Sequence, residues 1–368
     1  MSNRLMLVFE LRHVGDAVLS LPFVRGARSA WDVHVICRPQ TAPLFQAVIM
    51  PHSVHPYPAP WKDAPDLRSA IAMARLLAKG SAKLRPEVAV CAWADARVHA
   101  LMSYSEAKVR VGFPMNARNV LYSERRWRRN QVLMGRILDV VCRLAFARAP
   151  LNRRLTRAKQ DQHHVDDWLQ IATALDITPD ASVPWLSFPE ELSGSARSVR
   201  DRLQLAKKNG KRRWLIHPGA GDSFRRWPAA RFAQIAGQLA ESGAAVLVIS
   251  PADAPVASFN DPRVLTWTPD SLPDFVSIAG HVDFVLANDS MATHIASALG
   301  KPAVAIFGPG NPGWFGPLTP GSEVVWQPAC NRWPCLRACE RDCCACLEAL
   351  EPAVVMEAVR RVEDRIRQ

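Results

Sequence analysis

The chain has 368 residues, 49% of them hydrophobic, and carries 46 Lys and Arg against 34 Asp and Glu, a formal charge of +12. That length suffices for two ordinary domains with their own cores, and the composition excludes disorder. No apolar run approaches the roughly 18 to 20 residues that span a bilayer and no secretory leader is legible, so a cytoplasmic protein is expected, with peripheral contact at the cytoplasmic membrane face left open. The positive excess calls for anionic partners. With no recognised nucleic-acid module beside it, nucleic acid is not the expected one.

Leu5 to Phe9 read as a buried strand, Leu11-Arg12-His13-Val14-Gly15-Asp16 as a tight turn, and Ala17 to Ala30 as a helix with apolar positions at Val18, Leu21 and Val24. Asp16 stands where that helix begins. It can serve as an N-cap, or as a carboxylate at the end of the first strand, where open α/β sheets place their chemistry; the two roles are compatible. Further strands are expected at Val33 to Cys37, Ser53 to Tyr57, Val88 to Trp93 and Lys108 to Val111, with helical stretches such as Asp66 to Lys79 between them. Such alternation indicates a parallel sheet. Pro56, Pro58, Pro60 and Pro65 mark an irregular surface loop near the strand ends.

Between Arg118 and Lys159 twelve Lys or Arg face only Glu124 and Asp139, most densely at Arg125-Arg126-Trp127-Arg128-Arg129. A solvated helix face and a docking surface for an anionic glycolipid or membrane are the competing readings. Helices are expected at Arg128 to Ala147 and Asp161 to Leu175, and Pro179, Pro184 and Pro189 mark the passage to a second domain.

The second half restarts at the strand Arg213 to His217. Pro218-Gly219-Ala220-Gly221 is a permissive turn, and Asp222 to Pro228 form a basic loop leading into a helix, Ala229 to Glu241. The glycines allow close backbone approach to an anion, and Arg225 or Arg226 can fork onto phosphate oxygens. Strands follow at Ala245 to Ile249, Val264 to Trp267, Phe284 to Ala287 and Ala303 to Phe307. The most informative stretch lies between the last two, where Asn288-Asp289-Ser290 opens into a helix that Gly300 stops. With Asp289 or Ser290 as its cap, the first amides of that helix, from Met291 on, present positive partial charge to a ligand. His294, one turn later, reads equally as a packed histidine or a phosphate partner. A final helix is expected at Ala353 to Arg367.

Arg12-His13-Val14-Gly15-Asp16 with Pro22, His217-Pro218-Gly219-Ala220 with Arg225-Arg226-Trp227-Pro228, Asn288-Asp289-Ser290 with His294, and Ala298-Leu299-Gly300-Lys301-Pro302 leading to Phe307-Gly308-Pro309 together resemble glycosyltransferase family 9, the ADP-heptose:lipopolysaccharide heptosyltransferases and their relatives. The resemblance implies an α/β GT-B fold, two Rossmann-like domains with parallel sheets facing across a cleft. Residues 1–185 would bind the acceptor and 186–350 the nucleotide sugar, with the helix at 351–368 packing back on the first domain. It implies inverting sugar transfer without a catalytic metal or other cofactor, foremost of heptose from ADP-heptose to a lipopolysaccharide-core or related glycan acceptor. Asp16 would be the general base, and Gly219, Ala220, Gly221, Ser223, Arg225, Arg226, Asp289, Ser290, Met291 and His294 would hold the donor phosphates. Asp253 is a weaker candidate for the ribose hydroxyls. Two residues depart from the family pattern, Arg225 in place of Lys and Met291 in place of Gly, which bears on the donor more than on the reaction class. A protein-modifying heptosyltransferase with a Cys-bound metal and a non-catalytic transferase-like binding protein are the alternatives.

Six of the nine cysteines, Cys330, Cys335, Cys339, Cys343, Cys344 and Cys346, crowd into 17 residues. In a cytosolic chain that density suggests metal or redox chemistry before disulfides. A single helix carrying Cys335, Cys339, Cys343 and Cys346 spans about 16 Å, too far for one tetrahedral site, so the backbone must bend, with Cys330 or Cys346 folding back. A non-catalytic zinc or iron site, packed thiols, and disulfide or cluster chemistry all stay open.

Overall fold

Short apolar runs of β-branched residues alternate with longer amphipathic stretches throughout, and the chain resolves that alternation into two parallel sheets flanked by helices. The computed structural model describes residues 4–59, 67–114, 151, 153–157, 162–187, 192–250, 259–329, 333–335 and 344–367. It divides into two units, Met1–Ser182 and Val183–Gln368, three residues before the boundary expected from the sequence.

The first unit contains β1 (Arg4–Glu10), α1 (Val14–Ala27), β2 (Trp31–Cys37), α2 (Ala42–Gln46), β3 (Val54–Pro56), α3 (Leu67–Lys83), β4 (Val88–Cys91), α4 (Ala96–Tyr104), β5 (Val109–Gly112), β6 (Arg153–Arg154) and α5 (His164–Ala174). Its strands lie in the order β3-β2-β1-β4-β5-β6, with Val8 of β1 opposite Val35 on one side and Val90 on the other. β1 is apolar along its length because both faces of a parallel sheet are covered. Two exposed arginines form β6, so no hydrophobic pattern announces it. The helix expected at 128–147 and most of the basic tract lie outside the described residues.

α1 is buried nearly all round and is clasped near its C-terminal end by the segment after α5. Asp180 donates its amide to the Pro22 carbonyl at 2.9 Å and its carboxylate pairs with Arg25 at 2.7 Å. Gly26 sits so close to this segment that a Cβ would lie 2.2 Å from the Thr178 carbonyl oxygen.

The second unit contains α6 (Gly194–Lys208), β7 (Arg213–His217), α7 (Ala229–Glu241), β8 (Ala245–Ile249), β9 (Val264–Trp267), α8 (Leu272–Gly280), β10 (Phe284–Asn288), α9 (Met291–Ala298), β11 (Ala303–Phe307), α10 (Pro312–Phe315), β12 (Glu323–Trp326), α11 (Ala345–Ala349) and α12 (Pro352–Arg367). The order β12-β11-β10-β7-β8-β9 repeats the pattern of the first sheet. Gly300 ends α9 with φ +67°, a conformation glycine adopts without strain.

The last helix, α12, carries an apolar stripe that the second unit buries. Val355, Ala358, Val359 and Val362 recur at helical spacing and are fully buried in the core of the second unit, against α7, β11 and β12. Glu363 fixes the end of that helix by accepting the Trp214 indole N–H at 2.8 Å and pairing with Arg212. Glu363→Ala strands a buried indole donor and is expected to destabilise the second unit by about 1–3 kcal/mol, read from urea unfolding.

Candidate functional site

In the second sheet β7 and β10 are neighbours at the point where strand order reverses, so the loops that follow them emerge side by side. Asn288, fully buried at the end of β10, ties them together: its Nδ2 donates to the Pro218 carbonyl at 2.7 Å and its Oδ1 accepts the Trp227 amide at 3.1 Å. Both ends of the 218–227 loop are thereby fastened to one side chain. Sequence reasoning placed Asn288 in a motif but gave it no role.

Within that loop the two arginines separate. Arg226 donates from Nε to the Ala220 carbonyl at 3.0 Å and so braces the turn from inside. Arg225 ends a short 3-10 turn over Ser223–Arg225 that Asp222 opens by accepting the Phe224 amide. Its guanidinium is 3.6 Å from Asp289 Oδ2 and about a third exposed, whereas Asp289 is buried. Of the two capping candidates Ser290 takes the N-cap position, and Asp289 is Arg225's partner. Its carboxylate lies so near the loop after β11 that a Cβ at Gly310 would come within 2.5 Å of Oδ2.

Ser290 holds the N-cap position of α9 in extended backbone but makes no cap bond, its hydroxyl lying 3.4 Å from His217 Nδ1 instead. The first amides of α9 thus stand without a side-chain cap beside the half-buried Met291. Gly219 is required by the His217 ring, whose Cε1 would be 3.0 Å from a Cβ there, while Gly221 faces open space and Ser223 is exposed. Burial depresses the His217 pKa to about 4, with the Arg226 charge acting the same way, so the ring is neutral near pH 7. His294 is buried one turn into α9 with Phe315 edge-on at 6.1 Å.

Asp253, Cys330, Cys339 and Cys343 lie outside the described residues. Cys335, Cys344 and Cys346 are buried, Cys346 accepting the Ala329 amide at 3.3 Å. Burial pushes the Cys344 thiol up to about 11. Among these, Cys335 lies in irregular backbone and α11 begins only after Cys344, so Cys335 and Cys346 do not share one helix. Among the described residues no group of three or more His, Cys, Asp or Glu is placed to hold a metal ion.

The first sheet reverses between β1 and β4, and a second cluster occupies that place. Asp16 is the third residue of α1, with His13 as the N-cap, so the N-cap reading is corrected by three positions: its Oδ2 accepts the His13 amide at 3.0 Å from within the first turn. Arg12 Nε approaches the same oxygen at 4.0 Å. Burial alone would raise the Asp16 pKa, but Arg12, His164 and the His13 amide outweigh it and hold the carboxyl below its ordinary range. Arg12 lies over the Trp93 ring at 3.8 Å, and the His164 ring is also 3.8 Å from Trp93. His164 is oriented by the fully buried Asp167, which accepts from its Nδ1 at 2.8 Å and from Arg157 and Gln162.

Sequence reasoning missed Glu10, the last residue of β1. It is fully buried, its Oε1 accepts the Arg12 amide at 3.0 Å, and its pKa is pushed up to about 8 by burial and by the Asp16 charge. An acid ending an otherwise apolar buried strand was the available signal.

The model of glycosyltransferase family 9 (heptosyltransferase) matches residues 143–344, more than half of the chain. Lipooligosaccharide heptosyltransferase 2 of Haemophilus influenzae is 30% identical over 115 residues, 27% of this chain and 32% of that protein. The chain thus matches about a third of the length of the curated relatives. Among solved structures, the Escherichia coli ADP-heptose lps heptosyltransferase II superposes with a TM-score of 0.66 at 17% identity, covering 99% of this chain and 100% of that one. The Escherichia coli heptosyltransferase WaaC with ADP gives 0.65 at 16% identity, covering 97% and 99%. At such identities the likeness shows a shared fold, the two-domain GT-B architecture that the motifs imply.

His217 gives the second unit a pH signature. Its folded pKa of about 4 lies below the ordinary 6.5, so the unfolded chain binds the extra proton between these values and stability falls as pH drops through that window. The loss is about 3 kcal/mol at most. A His217→Gln variant is expected to lose less stability than the parent between pH 7 and pH 4 by that amount, read from urea unfolding at each pH.

Proposed function

Because the chain belongs to glycosyltransferase family 9, we propose that it is an inverting transferase that moves a sugar, foremost a heptose carried on ADP, to a hydroxyl of a lipopolysaccharide-core or related glycan acceptor. The observation that carries the reading is Arg225, held 3.6 Å from Asp289 beside the uncapped start of α9 in the second unit. Helix amides and a guanidinium are what a nucleoside diphosphate needs in order to leave without a metal to neutralise it. Asn288, Arg226 and Gly219 serve that site by fixing the loop, not by touching phosphate.

The acceptor hydroxyl attacks the anomeric carbon from the face opposite the diphosphate. A new C–O bond forms as the old one breaks, the electron pair leaves with the β-phosphate oxygen, and the hydroxyl proton passes to Asp16. A carboxylate with a lowered pKa is a weak base toward a resting alcohol. As the C–O bond forms, however, the hydroxyl becomes strongly acidic, and a weak base that is always ionised at neutral pH then suffices. Arg12 and His164 keep Asp16 in that state.

The +12 charge and the basic tract at 118–159 support an anionic glycolipid or glycan acceptor, met in the cytoplasm or at the inner membrane face. No helix among the described residues is long and apolar enough to cross a membrane.

Asp16→Asn is expected to lower the transfer rate by about 10²–10⁴-fold with the affinity for nucleoside diphosphate unchanged. Arg225→Ala is expected to weaken that affinity by about ten- to hundredfold in calorimetric titration. Equal loss of binding in the Asp16 variant would remove it from the role of base, and undiminished binding in the Arg225 variant would remove Arg225 from the phosphate site.

A further inference from the structure

Glu10 stands at the switch point of the first sheet, on the strand whose following turn carries Arg12 and Asp16. Its Oε1 holds the Arg12 amide at 3.0 Å, so the carboxyl fixes the path of that turn from below. Oε2 is buried without a hydrogen-bond partner among the described residues. So are Trp93 Nε1, which lies close to the same carboxyl, and Arg12 Nε, which faces Asp16 at 4.0 Å. Buried polar atoms without well-formed hydrogen bonds, the carboxyl's own Oε2 among them, are costly unless the place has work to do.

We propose that the buried Glu10 carboxyl is a positioning residue for Asp16, holding the β1–α1 turn while leaving the Arg12 guanidinium to Asp16 alone. The role rests on the transferase reading above. Its physical basis is protonation. A neutral Glu10 accepts the Arg12 amide but does not compete for the Arg12 charge, so one carboxylate and one guanidinium face each other at the turn. An ionised Glu10 adds a second carboxylate, draws Arg12 off Asp16 and strains the turn by like-charge repulsion.

Burial and the Asp16 charge favour that state and outweigh the Arg12 amide, the Arg12 charge and Trp93, which oppose it. From α1 Asp16 faces it, from its own turn Arg12, from the end of β4 Cys91 and Trp93, and from β2 Cys37, whose thiol burial pushes up to about 12. His164 of α5 acts on Asp16, and Asp95 acts on Cys91. Arg12 is thus the cation beside this carboxyl, and while Glu10 is neutral its ion-pair partner is Asp16. Glu10 is raised to about 8, so its proton leaves only in alkaline solution.

The test compares the full-length parent with Glu10→Gln and Glu10→Ala in a transfer assay with ADP-heptose and a core-oligosaccharide acceptor, from about pH 6 to 10. The parent is expected to lose kcat by about tenfold per pH unit above its break near pH 8. Glu10→Gln, neutral at every pH, is expected to stay within about threefold of the parent at pH 7 and to lack that alkaline fall. Glu10→Ala is expected to lose kcat at all pH values with the donor KM unchanged. Infrared spectroscopy at pH 7 adds a readout independent of turnover: the parent shows a protonated-carboxyl band that Glu10→Gln lacks. Superimposable pH profiles of parent and Glu10→Gln, or infrared spectra without that difference, overturn the Glu10 role while leaving the transferase reading intact. A parent that transfers no sugar overturns the transferase reading and the positioning role with it.

Discussion

In a parallel sheet all loops that can carry chemistry leave by one edge, and neighbouring loops part only where the strand order reverses. Both units obey this constraint with the same order of six strands, so each offers a single such place: between β1 and β4 in the first, between β7 and β10 in the second. Every polar cluster with chemical capacity described above sits at one of them. Asp16, Arg12, Glu10 and Trp93 come from the ends of β1 and β4. His217, Arg225, Asn288 and Asp289 come from the ends of β7 and β10.

The two places are built on the same pair of residue types used in opposite senses. On the proposed mechanism the carboxylate of Asp16 would take the proton in the first unit with Arg12 beside it, and the guanidinium of Arg225 would meet the diphosphate in the second with Asp289 beside it. The separations, 4.0 and 3.6 Å, exceed those of a tight hydrogen-bonded ion pair. A looser pair keeps each charge in place and in its ionised form without consuming the donors and lone pairs that a substrate must engage. The tight, fully satisfied contacts go instead to the residues behind, such as Asp167 with its three donors and Asn288 with its donor and acceptor bonds.

Much of this was legible in the residues. β7, α7, β8, β9 and β11 were placed to the residue because apolar β-branched runs there are bounded by Gly, Pro or charged breaks. β6 escaped because two arginines carry no pattern, and α6 because its charged surface hides a sparse stripe of Ala196, Val199, Leu203 and Ala206. Caps were less readable than elements: Asp16, Asp289 and Ser290 are all good capping types, and only tertiary partners decide that Asp16 reaches back to His13, Asp289 turns to Arg225 and Ser290 to His217. Glu10 was passed over because a single acid at a strand end reads as the strand's boundary. The last helix announced its stripe but not which core would receive it, since periodicity fixes a face and not a neighbour.

The clasp on α1 makes that helix a rod gripped at its far end. Asp16 rides on its first turn, whereas Gly26 is wedged against Thr178 in its last, roughly 15 Å away along the axis. A methyl group added there has no flexible side chain to push aside, only the backbone of Thr178, Pro179 and Asp180, so either α1 or that segment must shift. On the proposed mechanism, a glycine at the far end of α1 would in this way bear on the placement of the base.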